Sequence, residues 1–165
     1  MSINRIVLDT NCLIAILSRK GNYFPVWQGL HQGKYILCVS NDILKEYEEI
    51  LSLKTNSIIA SNVIQTLINS PFVEFVEAYY HFHLISQDED DNKFVDCAIV
   101  CGADYIVSND AHFNCLRNHP FPVVKVISLE DFAADMHDTL PNTYGVIDED
   151  RTMVNEPQLE YKTSK

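Results

Sequence analysis

Residues 3–17 read INRIVLDTNCLIAIL, and this stretch decides the fold. Ile3 to Leu8 is short, apolar and β-branched, as expected of a strand buried on both faces. Asp9 closes it. Asn11 is placed to cap a following helix, in which Leu13, Ile14 and Leu17 recur at helical spacing. The early arginine and the closing aspartate set the segment apart from the apolar stretch of a signal peptide, so it reads as structure rather than as a leader.

The same alternation continues along the chain. Phe24, Val26, Trp27 and Leu30 mark a second helix before Gly33, and YILCV at 35–39 is a second buried strand. Ser40 or Asn41 then caps a helix bearing Ile43, Leu44, Tyr47, Ile50 and Leu51. Residues 57–69 are helical by the spacing of Ile58, Ile59, Val63, Leu67 and Ile68. Short strands are expected at Val73 to Val76 and His81 to Ile85. Phe94, Val95, Ala98 and Ile99 mark a helix that Gly102 ends. DYIV at 104–107, a brief helix from Ala111 to Arg117 stopped before Pro120, a strand from Val123 to Ile127 and a helix from Leu129 to Met136 complete the series. Strands alternating with helices imply parallel βαβ units and an α/β sandwich, a sheet flanked by helices on both faces. Residues 1–140 form that domain. Residues 141–165, punctuated by Pro141, Gly145 and Pro157 and without apolar periodicity, read as an irregular tail or a segment ordered by a partner.

With 47% apolar and 21% charged residues in 165, the chain has the balance of an ordinary globular domain. No apolar run is long enough to span a membrane. The five cysteines, Cys12, Cys38, Cys97, Cys101 and Cys115, are odd in number and lie in apolar or helical contexts. They read as reduced core thiols, which points to the cytoplasm. The formal net charge of −11 argues against a chain that grips a phosphate backbone directly. That objection weakens if the acids are gathered where cations neutralise them. The run Asp88 to Asp91 carries four of them, and Asp88 and Glu89 read as solvated.

Ligands of a parallel α/β sheet bind beyond the carboxyl ends of its strands. Asp9 follows the first strand, and Asp110 follows DYIV after Ser108-Asn109. Glu46 borders the apolar stripe of the helix after YILCV, and Asp91 opens the helix before DYIV. Each has a plain alternative: Asp9 as a helix cap, Glu46 as a solvated acid like Glu48 and Glu49, Asp91 as a first-turn residue, Asp110 as a turn acid. Their joint placement favours a shared site. Four carboxylates in one pocket raise one another's pKa unless a cation intervenes. Oxygen ligands suit Mg²⁺ or Mn²⁺, and such ions activate water for phosphodiester hydrolysis.

These pieces resemble the PIN domain, within it the VapC-like ribonucleases that act as toxins of toxin–antitoxin systems. The resemblance rests on IVLDTNCLIAIL at 6–17, the W-x-x-L at Trp27, VSNDILKEYEEIL at 39–51, DEDDNKFVDCAIVCGADYIVSND at 88–110 and VVKVISLEDFA at 123–133, and covers about residues 1–138. It implies a PIN-like three-layer sandwich around a five-stranded parallel sheet. It implies Asp9, Glu46, Asp91 and Asp110 as catalytic metal ligands for Mg²⁺ or Mn²⁺. Asn11 would orient Asp9 or a metal-bound water, Ser108 or Asn109 would line the pocket, and Asp90 would stand behind Asp91. Ser108 and Asn109 replace the Thr and Gly that often precede the last Asp in the family. The implied activity is metal-assisted cleavage of RNA, with an antitoxin protein as partner and often a homodimeric state.

Other readings fit less of the chain. A phosphatase of the haloacid dehalogenase type needs an acid two residues after the first Asp, where Asn11 stands. A receiver domain needs a late Lys at a strand end, while Lys125 falls within a strand. The main rival is a PIN-like binding module with little or no catalysis, which the net charge favours. His81 and His83 would share one strand face. Asp96 reads as a helix-face residue and His112 as a surface position. Lys45, Lys93 and Arg117 are candidate phosphate contacts.

Overall fold

Five strands form one parallel sheet in the order β3-β2-β1-β4-β5 in the computed structural model, which describes residues 2–138. They are β1 (Asn4–Leu8), β2 (Tyr35–Val39), β3 (Val73–Phe75), β4 (Tyr105–Val107) and β5 (Val126–Ile127). The sequence-expected tail at 141–165 lies outside the described residues. Six α-helices accompany the described strands: α1 (Thr10–Leu17), α2 (Phe24–His31), α3 (Asn41–Lys54), α4 (Ser57–Asn69), α5 (Asn92–Cys101) and α6 (Leu129–Asp138). The all-parallel α/β architecture expected from the alternation is the one observed. Ile6, Val7 and Leu8 are all fully buried, so the central strand is covered on both faces, as a parallel sheet requires. Among the described residues no helix is long and apolar enough to cross a membrane.

The order in which strands are added to the sheet reverses between β1 and β4, although both strands run parallel: β2 and β3 lie to one side of β1, while β4 and β5 lie to the other. The register pairs Leu8 with Val107, so the residues that follow them, Asp9 and Ser108, leave the sheet side by side. Such a reversal opens a crevice at the carboxyl ends of the strands, which is where α/β sheets bind ligands.

Local signals explain several helix ends. Ser40, rather than Asn41, caps α3 by accepting a hydrogen bond from the Ile43 N–H. Asn56 does the same for α4 through the Ile59 N–H. Gly102 ends α5 at φ 64°, the left-handed conformation that a Cβ would disfavour. Several expectations are corrected. Asn11 does not cap α1; Asp9 holds that position and Asn11 is the second helical residue, exposed. His81 to Ile85 forms no strand, because its polar contacts go to side chains of α5 rather than to a sheet edge. β5 shrinks to Val126–Ile127, so Lys125 precedes it. Ala111–Asn118 winds as a 3-10 helix. Of the cysteines, Cys12, Cys38 and Cys97 are buried, but Cys101 is only partly so and Cys115 is exposed.

Candidate functional site

Asp9 occupies the first cap position of α1, yet its side chain caps nothing. Instead its Oδ2 accepts the Ser108 hydroxyl at 2.8 Å. The same Ser108 oxygen accepts the Asp110 N–H at 3.0 Å, so one hydroxyl links the ends of β1 and β4 to both acids. Asp110 does cap the 3-10 helix that follows, through the His112 N–H at 2.9 Å, so its plain role and its place at the crevice coexist.

Two hydrogen bonds fix α3 on either side of Asp9. The buried Tyr47 hydroxyl donates to the Leu8 carbonyl, one residue before it. The Thr10 hydroxyl, one residue after it, donates to Glu46 Oε2. Glu46 is therefore tied to the residue next to Asp9 rather than solvated like its neighbours Glu48 and Glu49. Its other oxygen lies 3.0 Å from Lys93 Nζ.

Asp91 precedes α5 and likewise leaves the helix uncapped by its side chain. Its Oδ2 lies 3.1 Å from His112 Nδ1, and Asp110 Oδ1 lies 3.5 Å from the same nitrogen. Sequence reading put His112 on the surface, and its side chain is indeed 40% exposed, but its Nδ1 also reaches the acids. The clue in sequence was its place two residues past Asp110, in the first turn that Asp110 caps. Asp9 and Asp110 are thus joined through Ser108, and Asp110 and Asp91 through His112, while Glu46 is bonded to Thr10, the residue after Asp9.

The supporting residues divide. Ser108 lines the crevice. Asn109 does not present its carbonyl there, because its Oδ1 accepts the Leu129 N–H at 3.0 Å and ties β4 to the start of α6. Asp90 is exposed and lies along a neighbouring groove. Asp96, read as a helix-face residue, is buried: it accepts the Phe82 N–H at 3.0 Å and faces His81 Nδ1 at 3.1 Å, anchoring the segment before the acidic run. Asn92 does the same with Ile85, accepting from its N–H and donating to its carbonyl.

The electrostatics are those of an acidic site short of positive charge. Burial pushes the Asp9 carboxyl up to about 6, the charges of Asp91 and Asp110 add to the rise, and the Ser108 hydroxyl opposes it. Asp91 is also raised, first by burial, with Asp88 and Asp110 contributing against His112. Oxygen donors at several depths, some held from full ionisation by their neighbours, are the donor set that a hard divalent cation satisfies. In donor chemistry these carboxylates suit such an ion.

Beside the acids runs a groove of about 750 Å³ that shares Glu46 and Lys93 with them. Asp42, Glu49, Glu77 and Asp90 face it, with Lys45 as a further cation.

No curated protein matches the chain in sequence. Among solved structures it is similar to VapBC2 from Rickettsia felis bound to a DNA fragment from its promoter, at 14% identity and a TM-score of 0.53, over 75% of this chain and 98% of that one. It is similar also to DNA-bound VapBC from Salmonella typhimurium, at 17% identity and a TM-score of 0.53, over 76% and 98%. At these identities the likeness is one of fold. A model of the PIN domain matches residues 5–112, a span that runs from β1 through Asp110 and holds all four acids. With that match over more than half its length, the chain belongs to the PIN domain family, whose members are generally nucleases.

Proposed function

We propose that this protein is a metal-dependent endoribonuclease whose catalytic centre is formed by Asp9, Glu46, Asp91 and Asp110. The observation that supports the reading is that Asp9 and Asp110 share Ser108, and Asp110 and Asp91 share His112, at the carboxyl ends of β1 and β4, with Glu46 bonded to Thr10 next to Asp9. Mg²⁺ or Mn²⁺ bound there would polarise the scissile phosphate and lower the pKa of a water nucleophile. The chain's own contribution is positional. Ser108 holds the Asp9 carboxylate, and Thr10, the next residue, holds that of Glu46. Lys93, paired with Glu46, is placed to contact a phosphate at the rim. Asp9, the most buried of the four acids, sits where bulk water is largely excluded and charge interactions are strong. Purified protein should cleave single-stranded RNA only when Mg²⁺ or Mn²⁺ is present, and Asp9→Asn and Asp110→Asn should abolish cleavage while retaining the fold. An inert wild type with both metals across varied RNAs overturns the reading.

We further propose that the chain is the toxin of a toxin–antitoxin pair. Support comes from the resemblance to VapC-like proteins and from the acid majority along the groove beside Glu46, which suits a basic segment of a partner protein. Co-expression with a small protein encoded beside it should yield a stoichiometric complex in which RNA cleavage is suppressed. The binding-module reading draws on the net charge of −11, and survives if RNA or protein binds equally well to wild type and Asp9→Asn with no cleavage in either.

A further inference from the structure

Asp88 was read from sequence as a solvated loop residue, yet the fold gives its two oxygens different tasks. Oδ1 accepts the Asp90 N–H at 3.0 Å and so caps the short 3-10 turn over Glu89–Asp91. Oδ2 is thereby aimed at His112, 3.9 Å from Nδ1. Asp91 Oδ2 approaches the same nitrogen at 3.1 Å. One donor atom from each of Asp88, Asp91 and His112 lies within 4.8 Å of the others. His112 is held in place from its own backbone by Asp110.

We infer that Asp88, Asp91 and His112 form a nitrogen-containing cation position beside the four acids, selective for Mn²⁺, Co²⁺ or Zn²⁺ over Mg²⁺. Three donors bonded at about 2.1 Å to one ion stand about 3 Å apart when adjacent and about 4.2 Å apart when opposite. Asp91 Oδ2 and His112 Nδ1 already stand at that spacing, whereas Asp88 Oδ2, 3.9 Å from the nitrogen, must close by about 1 Å to join them. The donor types decide the metal. Mg²⁺ keeps to oxygen and to its waters, whereas an imidazole nitrogen suits the borderline first-row ions. An ion here is one carboxylate, Asp91, away from the proposed catalytic centre, so His112 and Asp88 would set which metals occupy the shared pocket. The inference rests on the proposed function only through that shared Asp91.

The test uses the full-length metal-free protein titrated with Mn²⁺ and with Co²⁺. Pulsed electron paramagnetic resonance of the Mn²⁺ form should show coupling to a ¹⁴N nucleus, and His112→Gln should remove it. Co²⁺ affinity should fall at least about tenfold in His112→Gln and in Asp88→Asn, with Mg²⁺ affinity changed by less than about threefold. The ¹⁴N coupling should persist in Asp88→Asn, which separates loss of a ligand from loss of the fold. Wild-type Mn²⁺ without nitrogen coupling, or unchanged Co²⁺ affinity in His112→Gln, overturns the inference and identifies His112 as a hydrogen-bond partner alone. RNA cleavage with Mg²⁺ but no nitrogen coupling defeats this inference and leaves the nuclease reading standing. Nitrogen-coupled Mn²⁺ without RNA cleavage under any metal does the reverse.

Discussion

Ser108 Oγ lies 2.8 Å from Asp9 Oδ2, a contact between residues 99 positions apart that the pairing of Leu8 with Val107 makes unavoidable. The hydroxyl donates to the acid and accepts from the Asp110 N–H, so it fixes Asp9 and the chain turn at Asp110 together. Removing it in Ser108→Ala should leave the sheet intact, since the strands keep their ladder. Metal affinity and RNA cleavage should each fall about 10- to 100-fold, the usual effect of deleting a group that orients a ligand. The hydroxyl also holds the Asp9 pKa down. The acid limb of the pH–rate profile should therefore move to higher pH in Ser108→Ala. Unchanged metal affinity, read by titration calorimetry, refutes this role.

The raised pKa of Asp9 makes a claim about stability without metal. Its folded value, about 6, exceeds the unfolded value of 3.8. The folded state binds the proton more tightly, so the contribution is fully present below pH 3.8 and is lost as pH rises through about 6. A shift of this size corresponds to on the order of 3 kcal/mol. Asp9→Asn, neutral throughout, should melt close to wild type near pH 4 and several degrees higher at pH 7.5, both in chelator. Saturating Mg²⁺ should reverse that ranking at pH 7.5, because only wild type keeps the ligand. Calorimetric melts at the two pH values decide it.

Thr10 and Glu46 supply a third case. The Thr10 hydroxyl is the contact that brings the α3 acid against the end of β1. Thr10→Val keeps the shape and removes the donor. With Thr10 itself buried, cleavage should drop about tenfold or more while thermal stability changes by only about 1 kcal/mol. Equal activity in the variant shows that packing of α3 alone, through Tyr47 on Leu8, positions Glu46.

Much of this arrangement was legible in the sequence because it depends on what immediately follows a strand. Asp9 and Asp110 needed only the strand ends to be placed, and Glu46 needed the apolar stripe of α3. What the sequence concealed lies where side-chain direction is set by tertiary contacts. Asp96 has the spacing of a solvent-facing helix position, but the segment at 81–85 folds back over α5 and buries it. That same fold-back removes the expected strand, since Phe82 and Ile85 bond to α5 side chains. Asn109 and Ser108 are neighbours of equal polarity, and only the start of α6 decides that one faces the crevice and the other does not. His112 meets the acids while staying partly exposed, since Asp110 holds its backbone N–H and Asp91 its ring nitrogen, contacts that no spacing in the sequence announces.

Asn92 offers the sharpest separation between scaffold and site. Its side-chain amide donates to the Ile85 carbonyl at 2.8 Å and its Oδ1 accepts the Ile85 N–H at 2.9 Å, both buried. Next to Asp91 in sequence, it holds the acidic run against α5 without facing the acids. Asn92→Ala leaves two buried backbone groups of Ile85 without partners, each costing about 1–3 kcal/mol. Chemical denaturation should show a loss of roughly 2–4 kcal/mol, and the segment from His81 to Asp91 should exchange its amide hydrogens faster than the sheet does. Activity should fall through weaker metal binding at Asp91, recoverable at high Mn²⁺, whereas Asp91→Asn should not recover. An Asn92→Ala protein with wild-type stability, or one whose lost activity no metal concentration restores, shows that this anchor acts on the site in some way other than by holding Asp91 in place.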